Sequence, residues 1–104
     1  MRILQASQVI AFNKQICAEY EIAHRILNLS LVESAVCAAF FEMEGVGYVH
    51  GEIPEIAAAL CFKIIKNHAF RDGNKRTAAL ASLILHLPLL MIQILPYKRI
   101  EAHL

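Results

Sequence analysis

The chain has 104 residues, of which 58% are hydrophobic, and a formal net charge of +1. That length supports one compact domain over residues 1–104 and leaves no material for a second core. With basic residues scattered outside one short run, the charge gives no footprint for nonspecific nucleic-acid binding, so no direct contact with nucleic acid is expected.

From the N-terminus, Val9, Ile10, Phe12, Ile16 and Cys17 predict a helix from Ser7 to about Tyr20, with Asn13, Lys14 and Glu19 outside its apolar face. Ser30 and Glu33 match a capping box, so a second helix is expected from Ser30 to about Met43. Gly45, Gly47 and Gly51 break the pattern around Tyr48, Val49 and His50 and predict a short hairpin or extended flap. Pro54 suits the first turn of a third helix, where its missing N–H is not needed and its ring fixes a helical φ. Ile56, Leu60 and Ile64, with Ala57, Cys61 and Ile65, supply the buried faces of that helix, which stops near Lys66 or Asn67. A fourth helix is expected from near Asn74 to about Leu87, burying Leu80, Ile84 and Leu87 and ended by Pro88. Leu89 to Leu95 fits strand or helix, and Tyr97 to Leu104 reads as a short amphipathic tail. The sum is an all-α domain with a short β-hairpin flap.

The N-terminal stretch lacks the apolar core and small-residue cleavage site of a signal peptide, so a cytoplasmic location is expected. Ala78 to Leu95 is nearly long and apolar enough to cross a bilayer, but Ser82, His86, Pro88 and Gln93 interrupt it, and no membrane association is expected. Cys17, Cys37 and Cys61 are odd in number and set among apolar residues, which reads as buried free thiols. His24, His86 and His103 have no partners at metal-ligand spacing, and His50 in its glycine-rich turn reads as exposed.

The chemistry concentrates in the run HAFRDGNKRTA, His68 to Ala78, between the third and fourth helices. It places an imidazole, a carboxylate, a Gly-Asn turn and two cations at the start of a helix, where unpaired N–H groups and the positive dipole end favour an anion. His68 is the candidate general base, since a neutral imidazole can take the proton of an attacking hydroxyl. Asp72 is the candidate Mg²⁺ ligand, a hard carboxylate for a hard cation, with capping of the following helix as its alternative. Gly73 lets the backbone approach a phosphate, and Asn74 either bonds the anion or takes the left-handed turn. Lys75 and Arg76 supply charge, the latter with a fork suited to two phosphate oxygens. Phe70 is expected to plug the core and fix the loop, with Ala69 and Arg71 facing outward.

His68, Phe70, Asp72, Gly73, Asn74 and Arg76 fill the pattern H-x-F-x-[D/E]-G-N-x-R, and the run resembles the signature of the Fic/Doc (Fido) superfamily. Lys75 and Ala79 stand where AMP-transferring members usually carry a second glycine and a second arginine. The string N-K-R-T-A is similar instead to the death-on-curing (Doc) toxins. The resemblance runs from about Ile3 to about Leu85. Doc-family members usually continue with further helices that residues 88–104 do not match, so a truncated or divergent end is expected.

The resemblance implies a compact Fido-type helical domain and a toxin of a toxin–antitoxin pair. Such a toxin transfers the γ-phosphate of ATP, with Mg²⁺, to a hydroxyl of a translation elongation factor, elongation factor Tu, and arrests protein synthesis. Protein adenylylation and an inactive remnant that only binds an antitoxin are the alternatives. It also implies that the flap, Val46, Gly47, Tyr48, Val49 and His50, docks the target as an added strand. The inhibitory pattern [S/T]-x-x-x-E-[G/N] of many relatives is not met, because Phe40 stands four residues before Glu44 and Gly45. Restraint is therefore expected from a separate antitoxin of the Phd type.

Overall fold

The structure, a computed structural model, describes residues 3–87, and the expectations for Pro88 and the segment beyond it lie outside that range. The described residues form α1 (Ala6–Glu19), α2 (Leu29–Ala39), β1 (Glu42–Met43), β2 (Gly47–Tyr48), α3 (Ile53–Asn67) and a helix α4 over residues 74–87. They make up an all-α domain with one small hairpin, as expected. No helix among the described residues is long and apolar enough to cross a membrane.

Each helix buries one stripe. Val9, Ile16 and Cys17 of α1, Val32, Ala35 and Ala39 of α2, and Ile56, Ala57, Leu60 and Ile64 of α3 are buried. From α4 the buried apolar residues are Ala78, Ala81 and Leu85. The alanines let backbones approach closely: Ser82 Oγ of α4 donates to the Ala57 carbonyl of α3 at 3.1 Å. The expected α4 stripe is thus rotated. Leu80 and Ile84 are only half-buried and Leu87 is exposed, because the close contact uses the alanine face. On α3, Ile65 is exposed and Cys61 half-buried, so only part of its second expected face is covered. The thiols divide likewise: Cys17 is buried, Cys61 intermediate and Cys37 exposed, correcting the expectation that all three are buried.

The start of α2 also differs. Its cap is Asn28, whose Oδ1 accepts from the Ser30 amide at 3.0 Å and the Ser30 hydroxyl at 2.6 Å. Helix therefore begins a residue before Ser30, and the Ser30–Glu33 box does not form. Three residues after the helix closes at Ala39, Glu42 pairs antiparallel with Tyr48 and Met43 with Gly47, so residues expected to be helical belong to the hairpin. Gly45 supplies the positive φ of 80° that the turn needs. Pro54 falls in the first turn of α3, as its ring geometry predicts.

Candidate functional site

The loop between α3 and α4 is fixed from several sides before any ligand is considered. His68 ends α3 in the left-handed region, with φ 48° and ψ 51°. That reverses the chain and drives Phe70 into the core, where it is 1% exposed. The segment before α2 then grips the turn: Leu27 N–H donates to the Ala69 carbonyl at 2.7 Å, and Arg71 N–H donates to the Arg25 carbonyl at 3.0 Å. Asn67 Nδ2 adds a bond to the Leu31 carbonyl at 2.9 Å. Ala69, expected to face outward, is buried under this clamp, whereas Arg71 is exposed as expected.

Asn74 opens α4 and folds back over the loop. Its Oδ1 accepts from Phe70 N–H at 3.2 Å and its Nδ2 donates to the Phe70 carbonyl at 2.8 Å. Backbone partners of known polarity fix the orientation of this amide, so what it offers to His68 Nδ1, at 3.3 Å, is an N–H. In this arrangement Nδ1 accepts and the imidazole proton sits on Nε2. Asn74 is not in the left-handed region; among non-glycine residues described, only Glu21 and His68 have positive φ.

Gly73 has φ +76°, and a Cβ there would meet Asn13 Nδ2 at 3.2 Å. The absence of a side chain is therefore required from the protein's interior, whatever approaches from outside. The contacting residue, Asn13, is 0% exposed, although the sequence pattern puts it on the outer face of α1. It lies on the stripe of Val9 and Ile16, and its Nδ2 donates to the Asp72 carbonyl at 2.8 Å and to Thr77 Oγ1 at 3.0 Å. A polar residue at a position whose helical neighbours are apolar was the available signal.

The first helical bond of α4 runs from Thr77 N–H to the Gly73 carbonyl at 2.8 Å. The N–H groups of Asn74, Lys75 and Arg76 thus have no acceptor within the helix, and the positive dipole end faces the loop. Here a cleft of about 300 Å³ is lined by Ile65, His68, Arg71, Asp72, Gly73, Asn74, Lys75 and Arg76. All the polar candidates of the signature line one cleft, with Ile65 as an apolar wall that periodicity assigned to the core. Asp72 stands 3.9 Å from Arg71 Nε, a pair too exposed to matter much for stability. Arg76 also stacks its guanidinium 4.2 Å over the Tyr20 ring, between this cleft and a neighbouring one of about 360 Å³ beside α1.

None of the hairpin candidates, Val46, Gly47, Tyr48, Val49 or His50, lines the signature cleft. Val46 is 69% and Val49 47% exposed, while Tyr48 packs its ring against the core. The hairpin therefore offers exposed apolar side chains on a base anchored by Tyr48.

The domain thus turns an imidazole, a carboxylate and two cations onto one cleft at a helix N-terminus, where free N–H groups and the dipole favour negative charge. The Fic/DOC family model matches residues 3–85, and the chain belongs to that family, whose members are generally transferases. No curated protein and no solved structure matches the chain.

Proposed function

We propose that the protein is a Doc-like toxin that transfers the γ-phosphate of ATP to a hydroxyl of a translation elongation factor, elongation factor Tu, with Mg²⁺ as cofactor and an antitoxin of the Phd type as its restraint. The observation that carries this reading is the meeting of His68, Asp72, Lys75 and Arg76 on one cleft at the start of α4, in a chain of this family. Ala79, in place of a second arginine, supports phosphate over AMP transfer, and the string N-K-R-T-A supports the Doc branch.

The target hydroxyl attacks the γ-phosphorus, the bond from that phosphorus to the β–γ bridging oxygen breaks, and ADP leaves. The hydroxyl proton passes to His68. Taking it on Nε2 requires the tautomer protonated on Nδ1, which gives up the 3.3 Å contact with Asn74; taking it on Nδ1 displaces that same amide. Either route loosens the contact, so it belongs to the resting site. Lys75, Arg76 and the first N–H groups of α4 hold phosphate oxygens and stabilise the charge that builds on them.

A Mg²⁺ ion fits the donor set. Asp72 gives the cleft a carboxylate, and Mg²⁺ is commonly held by one or two carboxylates with substrate phosphates and water completing its shell. When bound, it neutralises phosphate charge. Purified elongation factor Tu incubated with the protein and Mg²⁺-ATP should gain the mass of one phosphate. Addition of an adenylate, or no addition, would contradict the proposal.

A further inference from the structure

We propose that Asn13 is a positioning residue of the transfer site: from inside the protein its amide sets the Asp72–Gly73–Asn74 turn, and with it the groups that turn presents to the cleft. The inference rests on the transfer reading above for its kinetic consequence but not for its structural one.

A fully buried amide is costly unless its donors and acceptor are used. Those of Asn13 are. Nδ2 donates to the Asp72 carbonyl at 2.8 Å and Thr77 Oγ1 at 3.0 Å, while Oδ1 faces His24 Nδ1 at 2.8 Å and accepts from Cys17 Sγ at 3.6 Å. The Asp72 carbonyl can only accept, so the amino side must face the loop. Oδ1 can then only accept, so His24 Nδ1 carries a proton and donates. The amide is held in one orientation by a neighbour on each side.

The loop is shaped around it in turn. At Gly73 the Cβ of any other residue would come within 3.2 Å of Nδ2, and φ is +76°. Asn13 therefore reaches, across 59 residues of sequence, the backbone of the one residue whose carboxylate faces the cleft. It touches no ligand itself. Its effect on transfer is through placement, and a misplacement of about 1 Å in a reacting constellation can cost about 10²-fold in rate.

Asn13→Asp keeps the shape and the acceptor toward His24 but loses both donors to the loop. Val32→Ala, in the buried stripe of α2, serves as a control that weakens the shared core without touching the polar ties of Asn13. Hydrogen exchange of the Thr77 and Phe70 amides should accelerate in Asn13→Asp beyond the general acceleration that Val32→Ala shows from lost stability. In the transfer assay kcat should fall about 10²-fold, with KM for ATP changing less. Exchange and kcat indistinguishable from Val32→Ala would overturn the proposal. If Asn13→Asp does not fold, Thr77→Val removes one of the two acceptors of Asn13 Nδ2 at nearly constant volume, and the same amides should loosen with a smaller kcat loss; wild-type behaviour there would also overturn it. A wild-type protein that transfers nothing refutes the transfer reading alone, because the exchange comparison needs no turnover.

Discussion

His68 ends α3 with φ 48°, where a residue bearing a Cβ lies about 1–2 kcal/mol above its right-handed minimum. Its side chain is exposed, so no core packing compensates for that strain. His68→Gly removes the strain but adds about 0.5–1 kcal/mol of backbone entropy cost. Thermal unfolding should therefore show stability unchanged or raised by up to about 1.5 kcal/mol, with transfer lost; a clear drop in melting temperature would mean the imidazole holds the fold. Asn74 has the opposite balance. It is buried and satisfies both backbone groups of Phe70, so Asn74→Ala leaves a buried N–H and carbonyl without partners, at about 1–3 kcal/mol. Lys75→Ala, at the exposed next position, should stay within about 0.5 kcal/mol by urea denaturation. Equal losses for the two would refute the separation of tether from ligand. The signature string makes the cleft residues legible, but it does not say that Asn74 spends its side chain on Phe70.

Among the elements, α1, α3 and α4 follow from apolar spacing, a proline in a first turn and the chemistry of the signature loop. The start of α2 does not, because two nested caps compete. Ser30 with Glu33 matches the better-known pattern, yet Leu27 and Asn28 N–H both donate to the Ala69 carbonyl, at 2.7 and 3.3 Å, and pin the chain to the signature loop just before the turn into helix. That long-range clamp selects Asn28, and no local pattern reports it. Asn28→Ala should cost about 1 kcal/mol, whereas Ser30→Ala should cost less than half of that. Chemical denaturation of both variants tests the assignment, and the reverse order would restore the capping box. The end of α2 was hidden for a different reason. Glu42 and Met43 continue the sequence without a glycine or proline, and only pairing with Gly47 and Tyr48 makes them strand.

At the scale of the molecule, a shared core places the site. Phe70 from the loop, Leu4 ahead of α1, Val9 of α1 and the buried apolar residues of α2, α3 and α4 meet in one apolar cluster. The signature loop is thereby tied to α1 through Asn13, to the segment before α2 through Arg25 and Leu27, and to α3 through its left-handed end. The ties through Arg25 and Leu27 join residues far apart in sequence and leave no periodicity behind, and Asn13 shows only as a polar residue on an apolar stripe, so the loop could be read as chemistry while most of its scaffold could not. Family membership over residues 3–85 fits this arrangement, since the matched region contains every tie. The central claim is that this scaffold presents His68 for γ-phosphate transfer, and radiolabel tests it directly. Wild type and His68→Ala are incubated with Mg²⁺ and either γ- or α-labelled ATP in a bacterial lysate. The account predicts that only γ-label reaches protein, that it does so with wild type, and that His68→Ala lowers incorporation by about 10²–10⁴-fold. Incorporation of α-label, or undiminished labelling by His68→Ala, would contradict it.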